Sequence, residues 1–161
     1  MEGKTVGHSR VVMAQQMNPQ HANPAGNVHG GIVMMLIDMA AGAVASRHAR
    51  SNVVTASIDR VDFLHPVYVE DFMTLIAKLN FVGKTSMEVG VRVETENLIT
   101  GEKRHTSSAY LTLVALDGNG QPQRVPELIM ETEGQKRRHR EAAIRRANRL
   151  AERNMEKNDH Q

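Results

Sequence analysis

The 161-residue chain contains no cysteine and no tryptophan, and only three phenylalanines and two tyrosines. The missing thiol excludes disulfides, thiolate metal sites and a cysteine nucleophile together. With so few aromatic rings, bases have little to stack on, which argues against single-strand nucleic-acid readout by the main domain. No Gly-x-Ser-x-Gly elbow, nucleotide-hydrolysis motif or metal-ligand cluster occurs, so neither a metal nor a separate cofactor is implied. The opening MEGKTVGHSR is polar throughout and shows no basic, apolar and cleavable leader, so an unexported, cytoplasmic protein is expected.

The length suits one well-packed core better than two. The net charge of +2 conceals an asymmetry. Residues 133–161 carry nine Lys/Arg against five Asp/Glu, net +4, leaving eleven against thirteen, net −2, for residues 1–132. The expected division is therefore a main domain over 1–132 and a basic C-terminal helix over 133–161. That helix would be largely solvated, with Ala142, Ala143, Ile144, Ala147, Leu150 and Ala151 as a narrow apolar stripe. A nucleic-acid contact through Lys136, Arg137, Arg138, Arg145 and Arg146 is disfavoured by the interspersed acids.

What the chain does have is one stretch on which the rest converges, PAGNVHGGIVMMLIDMAAGAVASRHAR, residues 24–50. It reads as a loop, paired glycines Gly30 and Gly31, then a helix of roughly 25 Å at 1.5 Å per residue. Arg47 and His48 supply the positive charge that a helix C-terminus favours. The helix is apolar around nearly its whole circumference, so other structure is expected to wrap it. A membrane span is rejected, because the apolar run falls short of about 20 residues, contains Asp38 and begins at paired glycines.

Asp38 is the one acid in these surroundings. An ionised, unpaired carboxylate there would cost several kcal/mol or more, so it has a partner, a cleft or a function. From the residues alone, an ion pair with a basic group such as His48 and a catalytic role stand open. The glycines leave backbone N–H groups accessible at the positive end of the helix dipole, where a polarised carbonyl oxygen can sit. A simple cap is the plainer reading of the same feature.

After the helix, residues 53–64 are rich in strand formers but alternate poorly, as in a strand covered on both faces in mid-sheet. Residues 72–82 and 86–96 alternate cleanly around a Gly83-Lys84 turn, and 103–116 forms another long strand. A possible first strand lies within 8–16, and 17–31 is a long loop of the kind that carries function. This order gives an α+β architecture in which a curved antiparallel sheet wraps one central helix. Its edge strands favour pairing with a second copy.

The runs HANPAGNVHGGIVMMLIDMAAGAVASRHA, VVTASIDRVDFLHPV, GKTSMEVGVRVETEN and AYLTLVALD resemble, in the same order, the acyl-CoA thioesterases of the hotdog fold, in their long-chain acyl-CoA hydrolase branch. The resemblance covers about residues 10–130. It implies hydrolysis of acyl-coenzyme A at a site shared by two protomers, with Asn27 and Asp38 as the catalytic pair from opposite units. The Gly31 N–H would polarise the thioester carbonyl, and Asp38 would activate water or attack directly. His29, Asp59, Asp62 and His65 are given structural or solvated roles.

Coenzyme A is then part of the substrate. Gly30, Lys84, Thr85, Ser86 and Arg104 are the expected substrate-binding residues, with Arg92 and Arg47 weaker candidates. The acyl chain is expected along Met34, Met35, Met39 and Met87. The resemblance also suggests a trimer of dimers, with no nucleic acid and no membrane insertion. A non-catalytic acyl-CoA sensor with a nucleic-acid-contacting tail is the alternative, and the short N-terminus leaves no room for the helix-turn-helix it would need. A hydratase is disfavoured because no matching Asp and His share a loop.

Overall fold

The computed structural model describes residues 1–159; the last two residues of the basic tail lie outside the described part. The elements run β1 (Lys4–Thr5), α1 (Val6–Ser9), β2 (Val11–Gln16), a 3-10 turn (Pro19–His21), α2 (Gly30–Ala49), β3 (Asn52–Phe63), β4 (Phe72–Val82), β5 (Ser86–Glu96), β6 (Lys103–Leu116), β7 (Leu128–Ile129) and α3 (Glu133–Asp159). β1 and β7 make a small parallel ribbon, and the other strands form one antiparallel sheet in the order β2-β4-β5-β6-β3. This is the hotdog arrangement, a sheet curled around α2.

The alternation in β4, β5 and β6 sends Met73, Leu75, Ala77, Met87, Val89, Val93, Leu111, Leu113 and Ala115 to one face, where they are almost wholly buried. Against them α2 sets Val33, Leu36, Ile37, Ala40, Ala41, Val44 and Ala45. The small residues let the helix axis approach the sheet closely. With 20 residues the helix is about 30 Å long.

Two expectations are corrected. Residues 52–63 are not in mid-sheet: β3 is an edge strand bonded only to β6. Its poor alternation comes from irregularities between Thr55 and Ser57 and between Ile58 and Arg60, each of which offsets the period of two. Nor is α2 wrapped on all sides. Met34, Met35, Asp38 and Met39 lie on a face left open in the single chain. The helix is long and apolar enough to cross a membrane by composition, but its other face is the core of this sheet.

The basic helix α3 packs across the opposite face of the sheet. Ala142 is buried there, and Arg145 forms a bidentate pair with the buried Glu88 at 2.7 and 3.1 Å while stacking over Tyr110.

Candidate active site

Asp38 sits two turns into α2, where Thr55 Oγ1 donates to its Oδ1 at 2.6 Å. Thr55 can do so because its partner across the β3–β6 ladder is Leu113, an inward-facing core position, so its hydroxyl projects towards α2. Among the described residues Asp38 has no ion-pair partner. His48, the partner considered for it, is fully buried with Nε2 2.8 Å from the Pro126 carbonyl oxygen. A neutral donor therefore fixes one carboxylate oxygen and leaves the charge and the second oxygen available.

The carboxylate lies in an open apolar field. Met35 and Met39 on α2 are about half exposed, and Ile58 on the inner face of β3 is more than a third exposed. Apolar surface of this kind beside an unpaired strand edge favours association with another chain. Met87, grouped with these methionines in the sequence, is instead fully buried in the core on the other side of α2.

At the other end of the helix, the loop from 22 to 29 is held by its own side chains. Asn23 Oδ1 accepts the N–H groups of Ala25 and Asn27 at 3.0 and 3.2 Å. Gly26 adopts φ 86°, a conformation that side chains resist. Val28 N–H donates to the Val67 carbonyl, and Asn27 bridges to Tyr68. These ties leave a cleft of about 330 Å³ lined by Asn23, Asn27, Gly30, Val33, Phe63, His65 and Val67.

His29 caps α2: its Nδ1 accepts the Gly31 N–H at 3.0 Å. The Gly31 donor is thus occupied in this state, whereas the Gly30 N–H has no partner among the described residues.

Of the expected substrate-binding residues, one chain brings together two groups, not one. Arg104 joins the Asn27 and Gly30 end, its guanidinium 5.3 Å from the Tyr68 ring centroid and paired with Glu102. Lys84, Thr85 and Ser86 form the β4–β5 turn at the far end of the sheet. There the Gly83 N–H donates to the Ser86 carbonyl at 2.8 Å, and Lys84 is exposed. The length of β5 separates the two groups by about 33 Å at 3.3 Å per residue. Asp38 belongs with the second group, because Thr55 faces Leu113, whose other neighbour is Met87.

Thr55 and Asn23 were not picked out by pattern. A hydroxyl that reads as an ordinary strand residue reveals its role only through the register.

The profile of the Thioesterase superfamily matches residues 25–102. A Bacillus subtilis protein named as an acyl-CoA thioester hydrolase is 42% identical over 140 residues, covering 87% of this chain and 81% of that protein. The chain belongs to the thioesterase superfamily.

This thioesterase also superposes with TM-score 0.91 on a hexameric acyl-CoA thioesterase of 40% identity, covering 94% of this chain and 97% of that one. The acyl-CoA hydrolase of Staphylococcus aureus, solved with butyryl coenzyme A, coenzyme A and coenzyme A disulfide, gives 0.89 at 34% identity over 97% of this chain and 95% of that one. The mouse cytosolic acyl coenzyme A thioester hydrolase is 36% identical over 87% of this chain, which spans 37% of the mouse protein.

Proposed function

We propose that this thioesterase hydrolyses acyl-coenzyme A to free fatty acid and coenzyme A at a site completed by two protomers. The observation that carries the reading is the Asp38–Thr55 pair, presented in open apolar surface beside an unpaired sheet edge. Asp38 lies about 12 Å along the axis from Gly30 of its own helix, too far to act on a carbonyl held there. A second copy with its helix antiparallel brings its Asn27 and Gly30 end to Asp38, and by the same symmetry makes two sites per dimer.

The thioester carbonyl oxygen then lies at the N-terminus of the partner helix, where the open Gly30 N–H and the helix dipole stabilise developing negative charge. The Gly31 N–H joins it when the His29 ring turns aside. Asp38 takes a proton from water as the water oxygen bonds to the carbonyl carbon. The carbon–sulfur bond then breaks, and the proton passes to the departing thiolate. Asn27 orients the water or the substrate, and the Lys84–Ser86 turn and Arg104 contact the coenzyme.

Asn23 is added to this set. The Staphylococcus aureus enzyme was solved with an asparagine, an aspartate and a threonine each replaced by alanine, and its aspartate lies fifteen residues after the asparagine and seventeen before the threonine. Counted from Asp38, the same spacings fall on Asn23 and on Thr55, the residue bonded to it. Asn23 shapes the loop that presents Asn27.

The hexameric relative supports three such dimers per assembly, and the name of the mouse relative supports work in the cytoplasm. The test is thiol release from a panel of acyl-CoAs by wild type, Asp38→Ala, Asn27→Ala and Asn23→Ala. Wild-type turnover that collapses in Asp38→Ala is expected. A wild type that binds acyl-CoA yet releases no thiol overturns the reading in favour of a sensor. Labelled oxygen from water entering the enzyme after turnover would replace the general base with an attacking carboxylate.

A further inference from the structure

The face of the sheet turned away from α2 has a gap in its row of side chains. Lys78 of β4, Gly90 of β5 and Tyr110 of β6 stand side by side in register, on strands about 4.8 Å apart. Gly90 leaves the middle place empty, and packing keeps it so: a Cβ at this position would come within 2.7 Å of the Asn80 amide nitrogen. The result is a cavity of about 240 Å³ over the three strands, lined also by Arg138 of α3. Ile76 gives it one apolar side, which the exposed Val12 of β2, paired with Ile76, continues outwards.

The charges around this gap do not balance. Neither Lys78 nor Arg138 has a carboxylate partner among the described residues. Burial first, and then the positive charges of Arg138 and Arg10, hold the Lys78 ammonium below its ordinary 10.5. The neighbouring acids are already committed. Glu88 and Glu94, which flank Gly90 and Arg92 on the same face of β5, are held by Arg145 and Arg92. Asp62, beside Ser108 across the β3–β6 ladder, pairs with Arg60, and Glu141 of α3 meets Arg137 at 3.7 Å. Partly buried positive charge without a counter-ion costs free energy, and an incoming anion relieves it.

A carboxylate matches the polar part of the cavity. The Lys78 ammonium and the forked N–H donors of Arg138 serve its two oxygens, and the Tyr110 hydroxyl offers a further donor. The side formed by Ile76 and Val12 suits an aliphatic tail and has nothing for the additional charged oxygens of a phosphate.

The reaction proposed above releases a molecule of this class. Resting on that reading for the identity of the ligand, we infer that the cavity binds an aliphatic monocarboxylate, in the first place the fatty acid freed from acyl-coenzyme A. It lies on the sheet face opposite α2, so acid can occupy it while the Asp38 side turns over, and its occupancy follows the accumulated product. An acidic side chain of a neighbouring subunit offers the same carboxylate chemistry, and the experiment separates the two sources.

The double variant Lys78→Gln/Arg138→Gln removes both charges and keeps the Arg145–Glu88 and Arg149–Asp59 pairs that hold α3 in place. Circular dichroism with sedimentation checks its fold and mass. In calorimetric titration, sodium octanoate is expected to bind wild type and to weaken at least about tenfold in the double variant, with partial recovery in Lys78→Arg/Arg138→Lys. Octanoate binding that is absent in wild type overturns the site. Binding unchanged in the double variant also overturns it, because the acid then sits at the catalytic end. Displacement of octanoate by an equal concentration of 1-octanol or inorganic phosphate overturns the monocarboxylate assignment, since the first lacks the charge and the second the tail. A change of assembly mass in the double variant overturns it as well, because the cations would then grip an acid of a neighbouring subunit. A wild type that releases no thiol from acyl-CoA, while its octanoate binding still depends on Lys78 and Arg138, sinks the hydrolase reading alone.

Discussion

Thr55 on the edge strand donates its hydroxyl to Asp38 on the central helix at 2.6 Å, and among the described residues it is the one side chain that holds the carboxylate. The bond leaves the charge on Asp38 uncancelled while restricting its rotation. Replacing Thr55 by valine keeps the branched shape and removes the donor, so the fold should persist and kcat should fall about tenfold through lost orientation. Asp38→Asn removes the proposed base and should lower kcat about 10²–10⁴-fold. Thiol-release kinetics beside thermal melts check both. Equal kcat in Thr55→Val and wild type would show that the carboxylate needs no positioning partner.

A site built from two chains makes a prediction that no single-chain site shares. Asn27→Ala and Asp38→Ala protomers, each inactive alone, should regain activity when mixed and reassembled, since a mixed dimer has one site with both groups intact. Random pairing at equal amounts should restore about a quarter of wild-type activity. No recovery, with exchange verified by mass, would place both groups within one chain.

How far the sequence could be read follows from which forces act locally. The limits of β4, β5 and β6 were legible because their inward residues repeat every second position without interruption. β3 was misplaced because its two irregularities break that repeat, and pairing order depends on contacts distant in sequence. The glycines, Asn27 and Asp38 stood out because each is chemically anomalous where it occurs. Thr55 did not, since a threonine in a strand is ordinary and its bond depends on register. The open face of α2 was hidden for a different reason: composition records that a helix is apolar all round, but not that one of its faces is left open in the single chain. The ribbon of β1 and β7 is two residues long and has no periodicity to detect.

The attachment of α3 should be sensitive to one ion pair. Glu88 is almost fully buried on the outer face of β5, where Arg145 and the Asn80 amide satisfy it. Arg145→Met leaves a buried carboxylate without its cation, which costs about 3 kcal/mol. The exposed Arg137→Met on the same helix should cost less than about 1 kcal/mol. Urea unfolding of the two variants makes the comparison. Because the loss comes from the stranded charge, Glu88→Gln combined with Arg145→Met should recover part of it, and a double variant as unstable as Arg145→Met would contradict this account.

The buried His48 should make the fold acid-sensitive. Burial is the main influence and pushes its pKa below the ordinary 6.5; the hydrogen bond to the Pro126 carbonyl opposes this, while the positive charges of Lys4 and His8 add to the lowering. The neutral ring donates from Nε2 to Pro126, and its Nδ1 is buried with no partner among the described residues, so a second proton finds no acceptor there. The unfolded chain takes up its proton near 6.5 while the folded chain resists it, and the unfolded state therefore binds more protons below that pH. Stability contributed by the neutral ring is fully present above 6.5 and is lost as the pH falls from 6.5 towards the lowered folded value. Melting temperature should thus decline between neutral pH and about pH 5 in wild type. His48→Gln retains a donor for Pro126 without the titration, so its melting temperature should change less over the same interval. Parallel slopes for the two proteins would show that the acid sensitivity arises elsewhere.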